Sequence, residues 1–333
     1  MRRLDLVCTF LVVTTVLSLA FGLGDGRSIA AVLDNTLLAA PALFFALFMV
    51  TEPLTAPPGR NARLAYAALV AVLYTPAVHI GELYFTPELA LVLGNALAFV
   101  LSPKARLVLT LQARREIGAG QQELVFTADQ PLRFRPGQFL EWTLGHGTPD
   151  QRGIRRYFTI ASSPAEPVVR VGVKVPASKP SSFKTALAAL RPGDQILASQ
   201  LAGDFVLPDD PTVKLAFIAG GIGVTPFRAM LQYLMEQQEK RDIALLYSNN
   251  TPAEIAYRDT LAAAGETLGV RTIHTITVPE AVPPDWNGAR GFIDARMIRE
   301  QVPDFADRVF YVSGPQAMVS ATVRALQIGR AHV

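Results

Sequence analysis

The sequence predicts three regions in a row: a transmembrane domain of about four helices at 1–103, an antiparallel β-barrel at 104–208, and a parallel α/β domain at 209–333. Three observations predict this order. Apolar residues crowd into the first hundred positions of a chain whose mean hydropathy is +0.28. From Leu107 to Leu207 the pattern changes to short alternating runs separated by Gly and Pro, the signature of strands in a small barrel. After Pro208-Asp209-Asp210-Pro211, apolar strands alternate with amphipathic helices, as a parallel sheet requires. At 333 residues the chain has room for two or three domains of about 150 residues each.

The apolar stretches before residue 102 are 4–23, 35–50, 62–80 and 87–101. A signal peptide accounts for the first alone, since Arg2-Arg3 and an apolar run suit one, but not for the other three. Arg2, Arg3, Arg60, Arg63, Lys104 and Arg106 flank alternate ends of the stretches. The positive-inside rule then puts both termini, and with them the region after residue 103, on the cytoplasmic side of the inner membrane. The bilayer is thus one expected partner, and nucleic acid is not. The single cysteine, Cys8, excludes an intrachain disulfide and any iron–sulfur or zinc site built from this chain's thiolates, and no metal site is expected. His79 is the one histidine of this region, and a transmembrane haem needs two on facing helices.

Met49-Val50-Thr51-Glu52-Pro53-Leu54-Thr55-Ala56-Pro57-Pro58-Gly59-Arg60 is a proline-rich loop bounded by opposite charges. Read alone it is a rigid turn between helices. It also resembles the (D/E)P-x-(T/S)-x-P loop of the D/B family of membrane proteins in Rnf and sodium-pumping NADH:quinone reductase complexes. The S-G-A-T-type motif that carries a covalent flavin in that family does not occur here, so covalent flavin is not expected.

In the middle region the predicted strands are 107–111, 122–127, 138–144, 156–161, 168–175 and 195–201, with one helix at 182–190. Arg156-Tyr157-Phe158-Thr159 places a cation, aromatic rings and a hydroxyl on one short strand. A flavin needs that mix for its phosphate, its ring face and its ring N5. In the last region strands are predicted at 213–219, 243–247, 270–276 and 308–312, and helices at 253–264, 294–301 and 316–326. Gly220-Gly221-Ile222-Gly223-Val224-Thr225-Pro226 is a glycine turn between strand and helix, where backbone N–H groups can receive a pyrophosphate. Pro226 stands at the first helical position, where a missing N–H costs nothing.

These motifs, in this order, resemble the ferredoxin–NADP reductase superfamily, particularly reductase components of oxygenases and flavohaemoglobins. Its R-x-(Y/F)-(S/T) signature falls on Arg156, Phe158 and Thr159. The resemblance implies that Arg156 pairs with a flavin phosphate, Phe158 stacks on the isoalloxazine, and Thr159 faces N5. Ser181 and Ser182 match a second phosphate contact. Gly221, Gly223 and Thr225 are implied in the pyrophosphate turn. Ser248, Asn249, Tyr257 and Arg258 are implied at the adenosine end. Ser313, Gly314, Pro315 and Met318 match the family's C-G-P-x-x-M beside the nicotinamide, with serine in place of cysteine. The implied cofactors are FAD, favoured over FMN, and NADH or NADPH. Asn249, where NADP-dependent relatives carry arginine, weakens the NADPH case, although Arg258 could substitute. The family also implies a further strand and aromatic residue after the last helix, so the sequence reads as shortened at its C-terminus.

The activity these readings predict is hydride transfer from NAD(P)H to FAD, then delivery of electrons to a membrane or protein acceptor, a quinone or a redox protein. Two other readings stay open: a reductase tethered beside an oxygenase or desaturase, and a membrane transport protein whose reductase half is inactive.

Overall fold

The computed structural model describes residues 4–39, 41–52, 56–57, 59–101, 106–175 and 180–330. The chain divides into two compact units, Met1–Lys104 and Ala105–Val333.

In the first unit, helix α1 (Leu4–Gly24) matches the first apolar stretch. Among the described residues it is the one helix long and apolar enough to cross a membrane. The second stretch, predicted as one helix, is broken. Ile29–Leu38 and Ala42–Met49 meet at 51°, with Pro41 between them, whose ring removes a backbone donor and opposes continuation. Only if that bent pair counts as one span does a second segment pass the same test. The third stretch forms α2 (Arg60–Tyr74) and stops short of its predicted end. Thr75 is extended, as a residue before proline must be, and 79–84 turns into a two-stranded hairpin of His79–Ile80 with Leu83–Tyr84. The fourth forms α3 (Pro87–Leu101), 15 residues long, or about 22 Å against a hydrocarbon core of about 30 Å. Arg63 on α2 pairs with Asp5 on α1 at 2.9 Å. Phe10, Phe45 and Tyr74 form a ring cluster with centroids 4.8–5.5 Å apart. Within the proline-rich loop, Pro53, Leu54, Thr55 and Pro58 lie outside the described residues, as do Arg2, Arg3 and Lys104.

The second unit begins with six strands: β1 (Leu107–Gly118), β2 (Gln121–Ala128), β3 (Phe139–Thr143), β4 (Arg155–Thr159), β5 (Val169–Lys174) and β6 (Gln195–Ala202). Helix α4 (Ser182–Ala189) lies before β6. They pair in the order β4-β3-β6-β1-β2-β5, all antiparallel. The sheet curls until Ala161 N, just past β4, donates to Arg170 O on β5 at 2.8 Å. Alternation along the strands sends Leu107, Leu109, Leu124, Phe126, Leu140 and Trp142 into one core, capped by Phe183 and Leu187 of α4. β1 is longer than the sequence predicts, because two bulges carry it past the charged run Arg114-Arg115-Glu116.

The parallel half comprises β7 (Leu215–Gly220), α5 (Thr225–Glu236), β8 (Ile243–Asn249), α6 (Arg258–Leu268), β9 (Arg271–Ile276), β10 (Ala289–Arg290), α7 (Ala295–Gln301), β11 (Val309–Ser313) and α8 (Gln316–Arg330). The sheet order is β10-β9-β8-β7-β11. Its central strands β7 and β8 are buried along their whole length, as strands covered on both faces must be. One face packs on α5 and α6 through Phe227, Met230, Leu231, Leu234, Leu261 and Leu268. The other packs on α7 and α8 through Ile298, Met318 and Leu326. The helix predicted over 253–264 instead starts at Arg258, because Tyr257 before it adopts a left-handed φ of 55° and a 3₁₀ turn occupies Pro252–Glu254. The short strand β10 was not foreseen.

Candidate functional site

The anion-binding end of the barrel is built on β4 and the first turn of α4. On β4, alternation divides the predicted motif between two faces. Arg156 and Phe158 pair with Trp142 and Leu140, and Tyr157 and Thr159 with Glu141 and Phe139. β4 is the outermost strand of its sheet, so both faces border an edge. Phe158 is half-buried, its ring 5.9 Å from Phe183 and 6.1 Å from Trp142. Tyr157 is 57% exposed, its hydroxyl donating to Glu141 Oε2 at 2.8 Å and its ring edge-on to Phe139. The open aromatic face on this strand is therefore that of Tyr157, whereas Phe158 belongs to the barrel core.

Arg156 reaches the start of α4. Ser181 is the helix N-cap, its Oγ accepting from Lys184 N, and Ser182 is the first helical residue. Between them and Arg156 lies the Asp150 carboxylate, which nothing in the sequence singled out. It accepts from Arg156 Nη2 at 3.1 Å, Ser182 N at 3.1 Å and Arg152 N at 2.9 Å. Ser182 Oγ in turn accepts from Asp150 N at 2.8 Å and lies 3.0 Å from His146 Nε2. Desolvation works against the charge on Asp150, but the hydrogen bonds from Arg152, Ser182 and Arg156 prevail and hold its carboxyl below the usual range. A guanidinium and two backbone N–H groups, one of them at a helix N-terminus, thus converge on one anionic oxygen pair. That donor set fits a phosphate, for which the carboxylate stands in.

At the carboxyl ends of the parallel strands the remaining motifs come together. Gly221 has φ 51°, and a Cβ there would meet nothing within 4 Å, so its backbone faces open space. Gly223 does not. A Cβ on it would stand 2.5 Å from Ser313 O and 2.6 Å from Gly314 Cα, so its lack of a side chain lets the glycine turn lie against the Ser313-Gly314 loop. Gly220 and Gly314 meet Met318 in the same way. Thr225 is buried and donates to Ile222 O at 3.2 Å, closing its own turn. Pro315 is exposed beside it and Ser313 half-buried at the end of β11.

At the end of β8, Ser248 and Asn249 are 8% and 4% exposed. The Asn249 amide is within electrostatic reach of the Tyr247 hydroxyl, but neither its oxygen nor its nitrogen makes a well-formed hydrogen bond. Buried amides without well-formed hydrogen bonds are rare in folded chains, and ligands of open parallel sheets bind at the strands' carboxyl ends, where this one lies. Tyr247 is pushed up to about 12, chiefly by burial. Tyr257 is buried at the start of α6 with the Arg228 guanidinium 6.0 Å over its ring. Arg258 is exposed and donates to Pro252 O. The barrel abuts this end directly: a Cβ at Gly172 on β5 would collide with Thr225, Tyr257 and Ile222.

Residues 217–324 match the oxidoreductase NAD-binding domain family. The glycine betaine monooxygenase reductase subunit of Pseudomonas aeruginosa is 30% identical over 206 residues, 61% of this chain and 55% of that one. The stachydrine N-demethylase reductase subunit of Rhizobium meliloti is 29% identical over 194 residues, 57% of this chain and 53% of that one. The chain thus spans about half the length of the curated relatives it matches. Among solved structures, the Amycolatopsis cytochrome P450 reductase GcoB superposes with a TM-score of 0.59 at 23% identity, over 68% of this chain and 67% of that one. A ferredoxin NADP+ reductase from Neisseria gonorrhoeae with bound FAD and NADP gives 0.56 at 20% identity, over 67% and 91%.

Residues 217–324 are thus similar to an oxidoreductase NAD-binding domain, and the barrel and parallel sheet together share the fold of these reductases. FAD and NADP, bound in that Neisseria structure, are the groups against which this chain's site is tested. The anion cradle of Arg156 and Ser182, and the buried Asn249 amide above the glycine turn, are the two places where this chain's own atoms fit them. Sequence reasoning missed Asp150, Gly172, Glu166 and Arg228. Only Arg228 carried a local signal, a cation directly after the Thr225-Pro226-Phe227 helix start.

Proposed function

We propose that the chain is the NAD(P)H-oxidising reductase component of an electron-transfer system, passing electrons to a redox protein such as an oxygenase. The observation that carries this reading is the Asp150 carboxylate held in the Arg156–Ser182 cradle: strand and helix together present a built anion site, as a flavin phosphate needs. Bound there, the flavin supplies an acceptor for two electrons as hydride that can be released singly. The chain's residues bind and orient. Arg156 and the α4 N-terminus would hold phosphate, Tyr157 would offer the ring an aromatic face with Phe158 packed behind it in the barrel, and Thr159 at the end of β4 would offer a hydroxyl. On the dinucleotide side Gly221 exposes backbone to pyrophosphate, Asn249 and Arg258 receive the adenosine end, and Ser313-Gly314 closes against the turn. The relatives' names as reductase subunits favour an oxygenase-type acceptor over a quinone.

The first unit is read as an inner-membrane anchor that leaves the reductase on the cytoplasmic side. Its support is exposed apolar surface: Leu4, Val12, Val16, Leu38, Phe44, Phe48, Val92, Phe99 and Val100 are all more than half exposed, and so much apolar surface calls for lipid or protein cover. Kinship with the Rnf and sodium-pump membrane proteins belongs to the same proposal. Two measurements test the reading together. Heat-released cofactor from the purified chain is compared with FAD, FMN and riboflavin, and carbonate-washed cell fractions are probed for the chain. FAD in the supernatant and the chain in the washed membranes support it. A protein that neither retains nor takes up any flavin would overturn it, and a chain wholly removed by carbonate would overturn the anchor alone.

A further inference from the structure

Arg228 sits on α5, just past the glycine turn, and its guanidinium crosses to the barrel segment that continues β4. Nη1 donates to Ala161 O at 2.9 Å, and Nη1 and Nη2 both bond the Glu166 carboxylate, the second at 3.2 Å. Glu166 also accepts from Ser163 N and from Arg170 Nε, each at 2.6 Å. Arg170 Nη1 reaches Glu123 on β2 at 2.8 Å. At the far end of α5, Glu236 accepts from Ser163 Oγ. The segment 161–166 is therefore held to α5 at two points, one near each end of the helix.

The side chains of Arg228 and Glu166 are 9% and 13% exposed. So buried a charge pair is a weak device for stability alone, since apolar side chains of similar volume are often as good. Its distinctive property is geometric: a planar guanidinium on two carboxylate oxygens and a carbonyl admits one register. Apolar contacts between the two domains come from Ile117 on β1 and Phe205 after β6, whereas the continuation of β4 is tied to α5 through this pair and Glu236. Glu123, Arg170, Arg228, Ile255, Tyr257 and Arg258 line a cleft of about 460 Å³ between barrel and parallel domain. Other polar ties, Lys174 to Glu254 at 3.0 Å, Gln121 Nε2 to Glu254 O at 2.5 Å and Ala119 N to Ala253 O at 2.8 Å, hold β5, β2 and the β1–β2 turn rather than the continuation of β4.

We infer that Arg228 and Glu166 are positioning residues, clamping the continuation of the flavin strand to the helix that starts at the dinucleotide turn and so setting the approach of nicotinamide to flavin. This rests on the hydride-transfer reading above. A misplacement of about 1 Å at a reacting centre can cost on the order of a hundredfold in rate. The test compares the full chain with Glu166→Gln and the milder Arg228→Lys by stopped-flow flavin reduction under anaerobic conditions, expressed per bound flavin. Amide hydrogen exchange on the flavin-free proteins gives a second readout. The expected result is a limiting rate at saturating dinucleotide lowered about ten- to a hundredfold, an unchanged dinucleotide dissociation constant, and faster exchange in 161–166. An unchanged limiting rate per flavin, even with a lower melting temperature or flavin content, would reduce the clamp to a structural brace and overturn the inference. If the unsubstituted protein binds flavin but neither nucleotide reduces it, the functional reading fails first, and the inference with it.

Discussion

At the barrel edge, Arg156, Arg152 and the first turn of α4 all direct donors onto the protein's own carboxylate, Asp150. At the carboxyl end of the parallel sheet the opposite holds: Asn249 keeps both amide atoms buried with no well-formed hydrogen bond, and Gly221 faces open space. An anion site that satisfies itself is rigid and preformed, and a ligand must displace Asp150 to use all of it. A site with unmatched groups gains hydrogen bonds as soon as a ligand arrives. The difference suits a resident cofactor at the first place and an exchanging substrate at the second.

The largest effect is expected from removing the cation. Arg156→Ala takes away a charge-assisted contact of roughly 1.5–3 kcal/mol, lowering affinity for FAD about ten- to a hundredfold in fluorescence titrations of flavin-free protein. Unchanged affinity would remove Arg156 from the site. Next, Gly223→Val forces a side chain into the Ser313–Gly314 backbone. Overpacking of that kind costs about 1–3 kcal/mol, read as a lower melting temperature together with loss of dinucleotide binding. Gly221→Ala, by contrast, meets no atom and suffers only from its φ of 51°, so its cost should be about 1 kcal/mol. Equal losses at the two glycines would contradict the roles given to them.

Asp150→Asn sharpens the comparison from the other side. Removing the internal anion should tighten FAD and FMN about three- to tenfold while leaving riboflavin, which has no phosphate, unaffected. Weaker FAD binding would mean that Asp150 orients the cradle rather than competing for it. The smallest effect is Asn249→Ala, expected to weaken dinucleotide binding by about 1 kcal/mol, or roughly fivefold, with no change in flavin affinity.

The clamp between the two sites has a pH signature. Burial alone would push the Glu166 carboxyl up, but hydrogen bonds and charge from Arg228, with Ser163 N and Arg170, hold it below its usual value. A carboxyl lowered by folding contributes stability that is complete above its unfolded value and is lost as pH falls through the folded one. Melting temperature should therefore be flat from neutral pH down to the ordinary carboxylate range and fall below it. Glu166→Gln should be less stable at neutral pH and lose less on acidification.

The sequence exposed most where one periodicity ruled. All six barrel strands and the β7, β8, β9 and β11 positions follow from alternation or apolar runs, because burial on one or both faces dictates those patterns. It failed where short-range sterics overrode periodicity: at Pro41 and Thr75-Pro76, which end helices that hydropathy alone would extend, and at Tyr257, whose left-handed backbone delays α6. Of the site, the motif residues were legible because glycine turns and an arginine beside aromatic rings have few other uses. Asp150, Glu166 and Gly172 were not, since each acts on a partner distant in sequence: Ser182 for the first, Arg228 for the second, Thr225 and Tyr257 for the third. At Gly223 the structure adds a second demand to the motif reading, since a Cβ there would strike the Ser313–Gly314 loop.

The central claim is that these two sites work together on one hydride. Anaerobic addition of NADH or NADPH, in separate cuvettes, to the detergent-purified, FAD-loaded chain tests it most directly. Bleaching of the flavin spectrum is the predicted result, and the faster nucleotide decides whether Arg258 serves in place of the arginine that Asn249 replaces. A flavin that stays bound and yellow with both nucleotides would contradict it.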